Sequence, residues 1–86
     1  MNITSYFFYI ARCCDNSLYS GYTVNLEKRE TQHNLGKGAK YTASRKPVKI
    51  VYSEEFESKS AAMQREAEVK SWKREAKEKL LRKKSV

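Results

Sequence analysis

The chain has 86 residues, a formal net charge of +8 and 40% hydrophobic residues. This length excludes two independent cores, and this share of apolar residues excludes a disordered tail, so we expect one folded domain over residues 1–86. No stretch approaches the ~18 apolar residues that a membrane span needs. The first residues also lack the basic start and cleavage pattern of a signal peptide. We therefore expect a cytoplasmic protein that contacts no membrane.

The positive charge lies in two blocks of the chain. Residues 28–49 contain seven Lys or Arg and one Glu, and residues 60–86 contain nine Lys or Arg and four Glu. Such blocks suit a nucleic-acid partner, because each Lys or Arg near a phosphate releases a condensed counterion. The alternative is that the charge only keeps the protein in solution. Besides the C-terminal Lys and Arg, the expected nucleic-acid contacts are Lys37, Lys40, Arg45, Lys46 and Lys49.

The two cysteines are expected to be free thiols. Cys13 and Cys14 are adjacent, so a disulfide between them would be strained, and a single histidine leaves no zinc-binding set. On a strand, one of the two would point inward and the other outward.

Propensity and turn signals predict an α+β fold with the order ββαβαα. In chain order, the first predicted elements are a strand over 6–12, a turn at 14–17 and a strand over 18–23. They are followed by a helix over 26–33 capped by Asn25 and by a long irregular connection over 34–47. The last elements are a strand over 48–54, a helix from Ser58 or Ser60 to Lys70, and a helix over 73–82. We expect a three-stranded antiparallel sheet flanked by helices.

The first predicted helix places Leu26, Arg29 and His33 on one face, because residues three, four and seven positions apart share a side of a helix. Leu26 indicates that this face looks toward the sheet. A half-buried Arg and His are costly unless an ionic group meets them. Arg29 can pair with Glu27 or Glu30 at the edge of the face, or it can meet an anionic ligand.

The helix after the third strand repeats this pattern with the opposite charge. Its predicted inner face carries Ala62, Glu66, Val69 and Lys73, with Met63 and Trp72 beside them. Glu68 falls on the wet face with Gln64 and Arg65. A carboxylate among apolar neighbours needs a cation. For Glu66 that cation is either Arg29, in a structural ion pair, or a metal ion.

Two tyrosines stand in the middle of the predicted hairpin strands. Gly21 lies two residues after Tyr19, so it shares the face of Tyr19 and leaves open space above the sheet. Buried tyrosines are usually core residues with a tethered hydroxyl. Tyr9 and Tyr19 beside a glycine, an Arg, a His and a Glu indicate a site.

Four groups of residues follow one another along the chain: Phe7-Phe8-Tyr9, Tyr19-Ser20-Gly21, the spaced set Leu26, Arg29 and His33, and Gln64-Arg65-Glu66. In this order and spacing they resemble the GIY-YIG nuclease domain, and especially its small stand-alone bacterial members. The resemblance covers about residues 6–82. It implies a three-stranded antiparallel sheet with flanking helices, in agreement with the predicted ββαβαα order.

The resemblance further implies a metal-dependent endonuclease that hydrolyses phosphodiester bonds of DNA. Tyr9 would activate or orient the attacking water, and Tyr19 would assist it and hold the phosphate. Gly21 would let the backbone approach. Arg29 would stabilise charge on the phosphate, and His33 would take part in proton transfer.

The resemblance also implies that Glu66 binds a single divalent cation, Mg²⁺ or Mn²⁺, and that no small-molecule cofactor is used. A tyrosine with a pKa near 10 is a poor base, but Arg29 and a cation would favour its ionised form. Such an enzyme would serve DNA repair or recombination.

Two other functions stay open at this point. The first is a binding module that keeps the fold and its basic surfaces but cleaves weakly or not at all. The second is an RNA-associated protein, which charge alone does not distinguish from a DNA-binding one. The oligomeric state and the natural substrate are not predicted.

The register of the hairpin decides whether the two tyrosines can share a site, because a slip of one residue moves a strand's side chains to the other face. A two-residue loop would put Tyr9 opposite Tyr22, on the face away from Tyr19. A three-residue loop over 15–17, with Asn16 or Ser17 in the left-handed region, puts Tyr9 opposite Thr23. We predict this loop, or a bulge of the same parity.

Overall fold

The structure is a computed structural model that describes residues 4–84. The segment 1–3, on which the signal-peptide prediction rests in part, and residues 85–86 lie outside this range. Within 4–84 the strands are β1 (Tyr6–Arg12), β2 (Leu18–Thr23) and β3 (Lys49–Phe56). In the same range the helices are α1 (Leu26–Asn34), α2 (Lys40–Ala43), α3 (Lys59–Lys70) and α4 (Arg74–Lys84).

The predicted α+β fold is confirmed, with one correction inside the segment 34–47. This segment is not wholly irregular, because it contains the four-residue helix α2. Four residues are too few to show helical periodicity in a sequence. Contacts with the rest of the fold hold α2 instead, including the Tyr41 ring stacked on Tyr19 with 6.1 Å between ring centroids.

The sheet has the strand order β2-β1-β3, and both outer strands run antiparallel to β1. The four central residues of β1 are completely buried: Phe8, Tyr9, Ile10 and Ala11. Successive side chains on a strand point to opposite faces, so this one strand supplies two separate cores.

The two cores lie on the two faces of the sheet. On the first, which we call the α1 face, the packed residues are Tyr9, Ala11, Cys13 and Val48, with Tyr19, Leu26 and Ile50 around them. On the second, the α3–α4 face, they are Phe8, Ile10 and Val69, with Leu18, Tyr52, Phe56, Trp72, Leu80 and Leu81. As alternation predicts, one neighbouring cysteine is buried (Cys13) and the other exposed (Cys14).

The register of the hairpin brings both tyrosines to the α1 face. Tyr9 pairs with Gly21, and Ala11 pairs with Tyr19. The predicted parity is therefore confirmed, but the predicted partner of Tyr9 was wrong, because Thr23 pairs with Phe7. The pairing is offset by two residues, which leaves every side chain on its expected face.

The offset arises at the hairpin turn. The Cys13 amide donates to the Ser17 carbonyl at 2.9 Å, and the Asn16 amide donates to the Cys13 carbonyl at 2.9 Å. The loop thus has three residues, as predicted, but it spans 14–16 rather than 15–17. Asn16 occupies the left-handed region with φ of 71°, which Asn tolerates better than most residues.

Helices α1 and α3 begin at side-chain caps that the sequence predicts. The Asn25 side chain accepts the Lys28 amide at 3.0 Å before α1. The Ser58 hydroxyl accepts the Ala61 amide at 3.1 Å before α3, so Ser58 rather than Ser60 is the cap. Among the residues that the structure describes, no helix is long and apolar enough to cross a membrane.

Candidate active site

An open groove of about 380 Å³ lies on the α1 face, at the edge formed by β2. Its lining comes from β2, α1 and α3 and consists of Tyr19, Gly21, Tyr22, Thr23, Arg29, Gln32 and Glu66. Four of the predicted site residues (Tyr19, Gly21, Arg29 and Glu66) therefore share one surface. The other two, Tyr9 and His33, are completely buried.

Tyr9 lies across β2 over Gly21. A Cβ atom on Gly21 would come within 2.6 Å of the Tyr9 hydroxyl oxygen and 2.8 Å of its Cζ. The open space expected above Gly21 is therefore filled by the Tyr9 ring, and that prediction was wrong. The glycine lets the phenol reach α1, where its hydroxyl lies 2.7 Å from His33 Nε2 and accepts Arg29 Nε–H at 3.2 Å.

His33 is enclosed by the segment that leads into α2. Its Nδ1 lies 2.7 Å from the Thr42 hydroxyl, which itself donates to the Ala39 carbonyl at 3.1 Å. Gly38 packs against the imidazole so closely that any Cβ at that position would collide with the ring. His33 is thus held from both ring nitrogens in a dry environment.

Burial sets the ionisation of this pair. It raises the pKa of Tyr9 to about 12, although the hydrogen bond and the charge of Arg29 act in the opposite direction. Burial also lowers the pKa of His33, and the nearby Arg29 charge lowers it further. Arg29 favours the ionised tyrosine, as expected, but desolvation of the phenolate outweighs the effect of the guanidinium. Both side chains are neutral near pH 7.

The Arg29 guanidinium has no carboxylate partner. It donates to the Tyr9 hydroxyl, to Gln32 Oε1 at 3.3 Å and to the Gly38 carbonyl at 3.3 Å. None of the ion pairs within residues 4–84 includes Arg29. The pairings considered with Glu27, Glu30 and Glu66 are therefore all absent from this range.

The acidic neighbours of Arg29 on α1 are engaged elsewhere or lie in solvent. Glu30 accepts the Ile50 amide at 2.7 Å, and Glu27 is exposed. Arg29 thus brings to the groove a positive charge that forms no ion pair within residues 4–84, and such a charge attracts an anion.

Glu66 is the acidic residue of the groove lining. Its side chain is 18% exposed, whereas the side chain of Glu68 is 57% exposed, so the predicted difference between these two glutamates is confirmed. The Glu66 carboxylate lies 3.3 Å from Lys70 Nζ, one turn later on α3. Lys70 Nζ in turn lies 5.8 Å from the centroid of the Tyr19 ring.

Two neighbours of Glu66 are placed differently from the prediction. Arg65 is not on the wet face: its Nε lies 2.9 Å from a Glu54 carboxylate oxygen on β3, and its guanidinium lies 5.2 Å from the Trp72 ring. Met63, expected beside the inner face, is 42% exposed. Arg65 also lies 2.9 Å from a Glu68 carboxylate oxygen one turn later on α3, a pair that helical spacing allows. Its other partner, Glu54, is eleven residues away in the chain, and helical spacing alone carries no information about it.

The groove suits a hard divalent cation better than a metal caged by protein. Across residues 4–84, no group of three or more His, Cys, Asp or Glu side chains could hold a metal ion. Mg²⁺ usually keeps several waters and takes one or two carboxylates together with substrate phosphates. A single carboxylate, Glu66, on an open surface fits this coordination chemistry.

The predicted nucleic-acid contacts are mostly free in solvent. Lys37, Lys40, Lys46 and Lys49 are exposed. Arg45 is different, because its Nε lies 3.1 Å from an Asp15 carboxylate oxygen and its guanidinium covers the Tyr41 ring at 3.9 Å from the centroid. Arg45 therefore connects α2 with the hairpin turn.

Several side chains around the site were not predicted, namely Tyr22, Thr23, Gln32, Thr42 and Lys70. Gln32 and Lys70 lie three and four residues after Arg29 and Glu66 on the same helices, so helical spacing could have found them. Thr42 carries no such signal, because it reaches His33 only through the fold of the segment 34–47.

Comparison with known proteins identifies the family. A family model described as the GIY-YIG catalytic domain matches residues 5–79. A UPF0213 protein of Staphylococcus haemolyticus is 53% identical over 79 residues, which cover 92% of this chain and 96% of that protein. A UPF0213 protein of Natronomonas pharaonis is 53% identical over 76 residues, covering 88% of this chain and 89% of that protein.

Two solution NMR structures are also similar. The Bacillus halodurans UPF0213 protein has a TM-score of 0.58 at 44% identity, with 90% of this chain and 82% of that chain covered. A protein from E. faecalis has a TM-score of 0.62 at 44% identity, with 95% and 88% covered. The matches span nearly the whole chain, and the chain belongs to the GIY-YIG family, among the small proteins that resemble the UPF0213 group.

Proposed function

We propose that the protein is a metal-dependent endonuclease that hydrolyses phosphodiester bonds of DNA. One observation carries this proposal: a cation without a carboxylate partner, Arg29, and an acidic side chain, Glu66, line the same groove. A phosphodiester needs positive groups for its oxygens, and a cation held by Glu66 would supply a second one besides Arg29. Membership of the GIY-YIG family makes a nucleic acid the natural anion.

Arg29 and Tyr19 are the proposed phosphate contacts. The Arg29 guanidinium is planar and carries several N–H donors, which suits the oxygens of a phosphate. Its present acceptors are neutral groups (the Tyr9 hydroxyl, Gln32 and the Gly38 carbonyl). Exchanging one of these bonds for a phosphate oxygen gains a charge-assisted hydrogen bond.

Glu66 is the proposed ligand of a single Mg²⁺ or Mn²⁺ ion. A bound cation would polarise the phosphoryl oxygen and neutralise the leaving oxygen. Lys70, which now lies beside the Glu66 carboxylate, would have to yield part of this contact to the cation.

Tyr9 and His33 are the proposed proton-transfer pair. Their 2.7 Å contact allows a proton to move between the phenol and the imidazole. Tyr9 is completely buried, so its hydroxyl is not part of the groove surface. Arg29, which lines the groove, bonds to the Tyr9 oxygen and lies between it and the groove. Tyr9 could therefore touch an attacking water only after Arg29 turns toward the phosphate.

The burial of Tyr9 also supports the second candidate, a nucleic-acid-binding module with little or no catalysis. A phenol with a pKa of about 12 and no exposed surface is poorly prepared to activate water. The exposed lysines of the segment 37–49 would serve binding equally well in both cases. Binding without cleavage is therefore the outcome that separates the two.

The test compares Glu66→Gln with Glu68→Gln, two neutral replacements on the same helix. Nicked, branched and single-stranded DNA are incubated with each protein, with and without Mg²⁺ or Mn²⁺. If Glu66 holds the metal ion, Glu66→Gln removes several kcal/mol of transition-state stabilisation, and the cleavage rate should fall by about 100-fold or more. Glu68→Gln should cleave at a rate close to that of the unchanged protein.

The same assay separates the candidates by their binding. Affinity for DNA is expected to fall steeply as salt rises, because lysine contacts release counterions. Binding at low salt without cleavage in either metal would select the binding module. No binding at low salt would refute both candidates, and equal losses of cleavage in the two variants would refute the role of Glu66.

A further inference from the structure

A buried chain of hydrogen bonds runs from α2 to the candidate active site. It begins at the Ala39 carbonyl, passes through the Thr42 hydroxyl to His33 Nδ1, and continues from His33 Nε2 to the Tyr9 hydroxyl. Thr42, His33 and Tyr9 are all completely buried. Water cannot reach them, so the partners within the chain decide where each proton lies.

The direction of this chain follows from counting protons. A carbonyl only accepts, so the single proton of the Thr42 hydroxyl goes to Ala39. The Thr42 oxygen then accepts from His33, which places the imidazole proton on Nδ1. A neutral imidazole has one N–H, so Nε2 is left as an acceptor, and the proton between the rings belongs to Tyr9.

The opposite direction leaves the buried phenol proton of Tyr9 without a partner. If Nε2 carried the proton, the Tyr9 oxygen would receive it in addition to Arg29 Nε–H, and the phenol proton would have no acceptor within residues 4–84. Thr42 would have to turn its own proton toward Nδ1 and would leave the Ala39 carbonyl, which would keep only the Ala43 amide at 3.0 Å. Unpaired polar groups in a dry core are strongly disfavoured.

The geometry points to Thr42 as a positioning residue of the site. We propose that it holds His33 in the Nδ1–H form, so that Nε2 is the acceptor of the Tyr9 proton. Gly38 supports this arrangement, because it closes on the imidazole and prevents the ring from turning away. The assignment of the protons rests on geometry alone, whereas its consequence for catalysis rests on the proposed function.

The chain offers a direct spectroscopic test, since His33 is its one histidine. In protein labelled with ¹⁵N-histidine, both ring nitrogens are observed at pH 8, and their couplings to the ring protons distinguish Nδ1 from Nε2. The expected result is a protonated Nδ1 and an unprotonated Nε2. The reverse pattern in the unchanged protein would overturn the proposal, whatever the activity.

Three variants test the part played by Thr42. Thr42→Val keeps the side-chain shape but removes the hydroxyl, so the Nδ1–H form is expected to give way to the Nε2–H form or to a mixture. Thr42→Ser is expected to restore the original pattern. Thr31→Val is the matched control, because the exposed Thr31 hydroxyl bonds to Glu27 and not to the imidazole. An unchanged pattern in Thr42→Val would refute the proposal.

Cleavage assays then separate this inference from the proposed function. If both hold, Thr42→Val lowers the turnover number at least tenfold with little change in KM, and Thr42→Ser recovers most of it. If the nitrogen signals behave as expected but the unchanged protein cleaves no DNA, the proposed function fails and the proton assignment stands. If Thr42→Val does not fold, the unchanged protein and Thr42→Ser still decide the assignment.

Discussion

Replacing Gly21 by alanine adds one methyl group at the contact between the hairpin and the Tyr9 ring. Such a change in a strand would ordinarily be mildly stabilising, by roughly 0.4–1 kcal/mol, because alanine has less freedom than glycine in the unfolded chain. Here the new Cβ would lie 2.6 Å from the Tyr9 hydroxyl oxygen, whereas ordinary contacts fall at 3.4–4 Å. The steric term and the entropic term therefore have opposite signs.

The steric term is expected to be the larger one. To restore an ordinary contact, the Tyr9 oxygen must retreat by about 0.8 Å, but it is held by His33 at 2.7 Å and by Arg29 at 3.2 Å. Overpacking of a core costs roughly 1–3 kcal/mol, and a buried hydrogen bond that is broken costs about 1–3 kcal/mol. The two costs together are about 2–6 kcal/mol, so after the entropic gain is subtracted Gly21→Ala should lower the free energy of unfolding by about 3 kcal/mol.

Thermal unfolding followed by circular dichroism measures this difference. For a domain of this size, about 3 kcal/mol corresponds to a fall in Tm of roughly 12–24 °C. Ser20→Ala is the matched control on the same strand, because the Ser20 hydroxyl is buried without a hydrogen-bond partner in the described chain, and its removal should be neutral or slightly stabilising. A Tm for Gly21→Ala equal to or above that of the unchanged protein would refute the packing of Tyr9 over Gly21.

Three further predictions concern the charges of the site. The pKa of His33 is lowered in the folded protein, so the contribution of the neutral imidazole to the free energy of unfolding is complete above about pH 6.5. This contribution is lost as the pH falls toward the lower pKa of the folded state. The Tm should therefore drop between pH 7.5 and 5.5, and the drop should be smaller in His33→Gln. Tyr9 should ionise near pH 12 rather than 10, which a titration of absorbance at 295 nm would reveal as the ionisation missing from Tyr9→Phe. Lys70→Met should raise the affinity of Glu66 for Mn²⁺ about twofold, because the ion pair between Lys70 and Glu66, four residues apart on a helix, is worth roughly 0.3–0.5 kcal/mol. The affinity is measured by electron paramagnetic resonance, and an unchanged value would argue against a metal at Glu66.

The sequence predicts the faces of the sheet better than its register. Strand alternation has a period of two, so placing Tyr9, Tyr19 and Gly21 together required only the parity of the loop. The exact offset depended on which residue takes the left-handed position. Asn16 takes it, and the loop is therefore centred one residue earlier than expected.

Depth and distant partners are harder to predict than faces. Helical spacing separated Glu66 from Glu68, because that difference is local. It failed for Arg65, because one of its two carboxylate partners, Glu54, lies on β3 and draws it toward the sheet. Strand alternation likewise gave no information on how deeply Tyr9 is buried, because that depth depends on Arg29, which covers the hydroxyl from α1.

The position of Tyr9 makes stability and function depend on the same side chain. Its ring is part of the core on the α1 face, while its hydroxyl is the meeting point of His33 and Arg29. A domain of 86 residues has few fully buried side chains, and here one of them also carries the chemistry of the candidate site. Tyr9→Phe preserves the ring but leaves His33 Nε2 and Arg29 Nε without their common partner. The cost of that substitution is therefore electrostatic rather than steric, whereas Gly21→Ala tests the steric side of the same contact.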